Sequence, residues 1–245
     1  MNKFRVIPGL LIEKGSLIKG VQYEHHRYVG DPLNAVSIFN EKEVDEIVIA
    51  DRSAGKEGID FSLIERIATQ AFMPLAYGGG IRNIDDVTRL LQSGVEKVIL
   101  NSVTITNPSI VEATASKFGS ASTIVSIDAK SGVFGEAKVW YRNATVKTDI
   151  GVLNQAKRME AAGAGEILLT SVNREGTMKG FDLKLIRKVA NELSIPLIAS
   201  GGCGKVDHIY EAINSGASAV VLGSMCVFWG KHRAVLINYP NCNRS

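Results

Sequence analysis

Cysteine is scarce in this chain, with three in 245 residues: Cys203, Cys226 and Cys242. An odd number at wide spacing signals neither a disulfide framework nor a zinc site, so reduced thiols in a cytoplasmic protein are expected. Histidine is nearly as sparse. His25 and His26 adjoin in a segment read as a loop, and His208 and His232 stand alone. No metal and no organic cofactor is implied. Charge of one sign is lacking too, because 28 Lys and Arg against 25 Asp and Glu leave a net +3, with no long basic run. That balance gives no electrostatic footprint for nucleic acid or a membrane surface. The one apolar run of the opening MNKFRVIPGLLIEKG breaks at Glu13 and Lys14, too early for a secretory signal or a membrane span.

What the chain does have is 45% hydrophobic residues, enough for a large core in one barrel or two smaller domains. Short Val, Ile and Leu runs alternate with amphipathic stretches: RVIPGLLI (5–12), EIVIAD (46–51), MPLAYG (73–78), KVILN (97–101), TIVSID (123–128), EILLTS (166–171), PLIAS (196–200) and AVVLG (219–223). Near-continuous apolarity suits parallel strands buried on both faces. Between them, NIDDVTRLL sets Ile84, Val87, Leu90 and Leu91 on one helical face behind Asn83 as N-cap, and DLKLIRKVANEL repeats the pattern. Eight strands with helical crossovers predict one (β/α)₈ TIM barrel spanning residues 1–245.

The chain also repeats itself. Leu75–Val103 aligns without gaps on Leu197–Met225 at an offset of 122 residues, with nine of 29 positions identical, and Asp60 matches Asp182 at the same offset. Two similar half-barrels are the natural interpretation. Each half carries glycines where a strand ends, and bare backbone there can approach an anion while the next helix offers its positive end. Gly79, Gly80, Asn101 and Ser102 would form one phosphate cup, and Gly201, Gly202, Gly223 and Ser224 a second. Two cups on one face would hold a small molecule phosphorylated at both ends.

In order along the chain, RVIPGLLIEKGSLIKG, YVGDP, VDEIVIAD, YGGGIRN, VSIDAK, GAGEILLTS, NREGT and IASGGCGK resemble the cyclase subunit of imidazole glycerol phosphate synthase. The resemblance implies a barrel that pairs with a glutaminase (HisH-like) subunit as a heterodimer. It also implies that ammonia passes through the interior to cleave and cyclise a bis-phosphorylated ribonucleotide. Of the family's two aspartates, the one ending strand five is Asp128, implied to be catalytic. The one in strand one is replaced by Leu11, and Gly9 stands where cysteine is usual. Glu13, expected in the following loop, is a poor substitute. Proton delivery and removal suit two carboxylates in different environments, so cyclase activity itself is in question.

By the same resemblance, Lys19 lies in the loop that folds over substrate, and Asp51 orients substrate or caps a loop. Gly176 and Thr177 remain available to phosphate, although Glu175 and Asn173 stand where aspartates are common. An ammonia gate is implied at Arg5, Glu46, Lys97 and Glu166, at the starts of alternate strands, and Glu96 is available to a basic group on the partner. The tail VFWGKHRAVLINYP and Leu11 resemble a paralogous branch that serves amidation of sugars in surface-polysaccharide (O-antigen, lipopolysaccharide) synthesis. A third protein, an amidotransferase, would take the nitrogen there, with His232 and Arg233 as candidate contacts or a solvated helical face. An authentic synthase subunit of histidine biosynthesis and a non-catalytic activator of the glutaminase stay open as alternatives.

Overall fold

The computed structural model describes residues 4–132, 136–230, 232–240 and 242. Eight parallel strands close on themselves: β1 (Arg5–Glu13), β2 (Ile47–Asp51), β3 (Leu75–Gly78), β4 (Lys97–Leu100), β5 (Thr123–Lys130), β6 (Glu166–Ser171), β7 (Leu197–Ser200) and β8 (Ala219–Leu222). Each pairs with the next, and closure comes where the first half of β1 pairs with β8, Arg5 opposite Ala219, and its second half with β2, Leu11 opposite Ala50. Helices fill the crossovers, so the (β/α)₈ barrel is observed.

Period-two alternation sorts every strand into two rows. Val6, Leu10, Ile49, Val98, Leu100, Val125, Ile127, Ile167 and Leu169 join the main core under the helices. Their neighbours Ile7, Val48, Ala76, Ile99, Ile124, Leu168, Ile198, Ala219 and Val221 form a second, separate apolar belt inside the barrel. Followed along one strand, the inward row of β4 runs Lys97, Ile99, Asn101, and that of β6 runs Glu166, Leu168, Thr170. In β5 it runs Ile124, Ser126, Asp128. Charge therefore stands below the belt and polar groups above it.

The two halves repeat in detail. Asp60 and Asp182 each cap a helix by accepting from the backbone N–H three residues on, with matching backbone angles. The helices Ile84–Gln92 and Val206–Asn214 end alike, at Gly94 and Gly216 with φ of 94° and 105°.

Three features depart from expectation. Residues read as loop form an antiparallel hairpin, Ser16–Val21 with Glu24–Gly30, that extends β1 and contains His25 and His26. A second hairpin, Lys138–Tyr141 with Val146–Gly151, extends β5. The tail around His232 and Arg233 is a turn between short strands, Phe228–Trp229 and Ala234–Val235, instead of a helical face.

Candidate functional site

At the N-terminal ends of the strands, Arg5, Glu46, Lys97 and Glu166 make a closed circuit of alternating charge. Arg5 Nη1 meets Glu46 Oε2 at 2.5 Å, Lys97 Nζ meets Glu46 Oε2 at 3.1 Å and Glu166 Oε1 at 2.7 Å, and Arg5 Nη2 pairs with Glu166 Oε2. The four come from β1, the residue preceding β2, β4 and β6, so the ring is not strictly of alternate strands. Burial pushes the Glu166 carboxyl up, but the hydrogen bonds and charges of Arg5 and Lys97 outweigh it and hold the group below its usual range. Glu46 is buried, and its Oε1 has no hydrogen-bond partner among the described residues. Above the ring the lumen is packed. Val221 and Ile99 lean into the space left by Gly9 and Gly78, where an added Cβ would come within 2.5 and 2.9 Å of them.

At the opposite end the first hairpin covers the mouth. Its tip is a two-residue turn, Gln22 and Tyr23, from which Tyr23 donates to Asp128 Oδ1 at 2.9 Å. Asn101 Nδ2 donates to Asp128 Oδ2 at 3.2 Å, so both carboxylate oxygens are engaged. Asp128 is 4% exposed. Burial drives its carboxyl up to about 6, against the hydrogen bonds from Tyr23 and Asn101, and the charge of Glu175 adds to the rise. On the same hairpin, buried Lys19 pairs with Glu175, while Gln22 donates its backbone N–H to the Glu175 carbonyl at 2.8 Å and its side-chain amide to the Asn173 carbonyl at 2.6 Å. The Lys19 ammonium lies beside Gly223, 2.4 Å from where a Cβ would stand. Lys19, Asp128, Asn101, Gly176 and Gly223 are thus gathered under or against one hairpin.

The glycines of the cups have a packing reason. An added Cβ on Gly79 would come 2.3 Å from the Asp51 carbonyl, on Gly202 2.2 Å from the Gly180 carbonyl, and on Gly176 2.3 Å from the Gly20 carbonyl. Gly80 is pressed against Ala54 and Gly201 against Ser171 in the same way. The helix after the first cup has its second and third N–H groups taken, because Asn83 accepts from Asp85 and Asp86 in a capping box with Asp86. Ser102 Oγ lies 3.3 Å from Asn101 Oδ1 and accepts from the Arg142 N–H. Thr177 donates to the Arg174 carbonyl at 2.7 Å. Ser224 Oγ is buried with no partner among the described residues.

Asp51 caps its own loop, with Oδ1 accepting from the Ser53 N–H, the Ser53 hydroxyl and the Ala54 N–H. Glu96 accepts from the Leu75 N–H at 2.7 Å, and Arg233 donates to the Gly176 carbonyl at 2.8 Å, so both have work within the chain. Glu13 is the last residue of β1 and pairs with Arg52 at 2.5 Å, while Leu11 stands half-buried opposite Ile18 and Ala50. Tyr23 is the participant that sequence reasoning missed, and Glu175, noted only as standing where aspartate is common, proves to be the partner of Lys19. The faint signal for Tyr23 was an aromatic residue four positions after Lys19 in the covering segment.

Residues 5–232 match the family described as histidine biosynthesis protein. A Leptospira borgpetersenii protein provisionally named imidazole glycerol phosphate synthase subunit HisF is 45% identical over 245 residues, covering 98% of this chain and 96% of the relative. A Pseudomonas aeruginosa protein provisionally named subunit hisF2 of the same synthase is 41% identical over 247 residues, 100% of this chain and 98% of the relative. A Vibrio vulnificus protein provisionally named subunit hisF3 is 42% identical over 248 residues, 98% of this chain and 94% of the relative.

Proposed function

The chain belongs to the histidine biosynthesis protein family, and from that premise we propose that it is a HisF-type synthase subunit handling ammonia. In this reading a glutaminase partner docks at the charged ring. Ammonia enters there and travels up the barrel to Asp128, and the nitrogen serves glutamine-dependent amidation of a sugar destined for surface polysaccharide. One observation carries the reading: a closed four-charge circuit and a buried carboxylate stand at opposite ends of the same inward-facing rows, separated by an apolar belt.

The belt favours neutral ammonia over ammonium, because an unpaired cation is costly in apolar surroundings. Ammonia enclosed in this way keeps its lone pair, which ammonium in neutral water lacks. In the resting arrangement, passage requires the ring to part and Val221 and Ile99 to change rotamer. At the mouth, Asp128 acts as base or acid with a proton affinity close to working pH. Lys19 holds substrate when its pairing with Glu175 is exchanged for substrate phosphate, and the cups formed by Gly79, Gly80, Asn101 and Ser102 and by Gly176, Thr177, Gly201, Gly202, Gly223 and Ser224 receive the phosphates. Asp51 is a framework residue beside the first cup.

Loss of a second acid supports amidation over cyclisation, since Leu11 has none to offer and Glu13 is committed to Arg52. The names of the relatives favour the alternative, an authentic synthase subunit. Reconstitution with a glutaminase and amide-¹⁵N-glutamine in excess unlabelled ammonium separates these readings. Product nitrogen carrying the glutamine label is expected, and dilution to the solvent value overturns internal transfer. Formation of imidazole glycerol phosphate from the bis-phosphorylated ribonucleotide at an ordinary enzyme rate overturns the amidation reading.

A further inference from the structure

The tip of the covering hairpin is built against local preference. Gln22 and Tyr23 connect Val21 to Glu24 with φ of 52° and 68°. Two successive left-handed residues make the tight turn that hairpins favour, but the residues that adopt it without strain are Asn and Gly. A side chain in that conformation is disfavoured, because its Cβ crowds the following carbonyl oxygen. Strain of this kind persists where surrounding contacts over-determine it, and it points to a use for the side chains involved.

Both side chains are used. Gln22 fastens the tip to the loop after β6, and Tyr23 turns its phenol down into the mouth, within reach of Asp128 and of Thr170 on β6. The groups facing Asp128 are few. Tyr23 comes from the hairpin and Asn101 from the end of β4. Glu175, from the loop after β6, is itself paired with Lys19 of the hairpin, and the backbone of Trp140 runs opposite on the second hairpin.

We infer that Tyr23 is the positioning residue of Asp128: hairpin closure sets its phenol on Oδ1, which holds the carboxylate ionised and turned so that Oδ2 lies toward Asn101. The phenol keeps its proton throughout, because burial and then the charges of Asp128 and Glu175 raise it well above its usual range. It donates a hydrogen bond and transfers nothing. A buried carboxylate without that donor would hold a proton more tightly and be a base over a narrower pH range. The hairpin that shuts the mouth therefore also supplies the bond that keeps its base in working form. This inference rests on the proposed role of Asp128, and the two can fail separately.

The test is a carbon-13 NMR titration of the Asp128 carboxyl in the full chain, with its signal assigned by its loss in Asp128→Asn. Tyr23→Phe is expected to move the midpoint up by about one pH unit, roughly a tenfold gain in proton affinity, the scale of one hydrogen bond to a charged group. Gln22→Ala loosens the same hairpin tip but spares the phenol, so its midpoint should stay within a third of that displacement. An unmoved midpoint in Tyr23→Phe, or an equal shift in Gln22→Ala, overturns the inference. The matching kinetic readout is the pH profile of glutamine-dependent nitrogen transfer in the complex reconstituted with its glutaminase. Its acidic limb should rise with the midpoint in Tyr23→Phe. If Asp128→Asn keeps full turnover while the midpoint shift is present, the catalytic reading of Asp128 falls and the pairing stands. If turnover needs Asp128 but the midpoint is indifferent to Tyr23, the reverse holds.

Discussion

A carboxylate with 4% of its surface exposed is harder to ionise than one in water, and Asp128 carries that penalty even with two donors on it. Its proton is held more tightly in the folded chain, at about 6, than in the unfolded one, so acid favours the fold through this group. The cost is absent below about pH 4, grows between the two midpoints and reaches about 3 kcal/mol above them. Asp128→Asn should therefore stabilise the protein at pH 7.5 by up to that amount and by little at pH 4, as read from urea midpoints. Asp128 was found through the family resemblance of VSIDAK, although its strand runs two residues beyond it, to Lys130. Tyr23 was not, because nothing in the spacing of VQYEHHRY says that Gln22 and Tyr23 adopt a left-handed turn.

At the scale of elements, the helices announced themselves and the hairpins did not. Asn83 followed three residues on by Asp86 is a start signal, and it gives the capping box at the head of Ile84–Gln92. Asn83→Ala should cost about 1 kcal/mol, visible as a lower thermal midpoint, with Asp86→Ala costing less than an additional equal step because the two bonds form one motif. The same box leaves fewer N–H groups for the anion expected at this helix end, since Asp85 and Asp86 already donate to Asn83. Strand ends were readable to within two residues because apolar runs stop where burial stops, as at Glu166–Ser171. Residues 16–30 escaped because Lys19, Glu24, His25, His26 and Arg27 break the alternation by which a strand is recognised, and a hairpin lying over a mouth has no continuous apolar side to show.

The whole molecule was the easiest scale to read. Eight apolar runs and an offset of 122 residues lead to a barrel in two halves, and paired caps at Asp60 and Asp182 bear that duplication out. Its stability in acid should reflect two opposed groups. The depressed Glu166 contributes stability that is full above about pH 4.3, the unfolded value, and lost as pH falls further, whereas Asp128 sheds its cost earlier in the descent, between about pH 6 and pH 4. Lys97→Met strips one cation from two carboxylates, both buried, and should destabilise by roughly 3 kcal/mol with a steeper loss above pH 5 than below, measured by denaturant unfolding. Unaltered stability in that variant would mean that Arg5 alone suffices for the ring.

The resting barrel is shut at both ends, by ion pairs beneath and by a tyrosine and lysine strap above. It has the plan of an airlock. Its two doors are made from different bonds on different segments, so unlatching one leaves the other fastened.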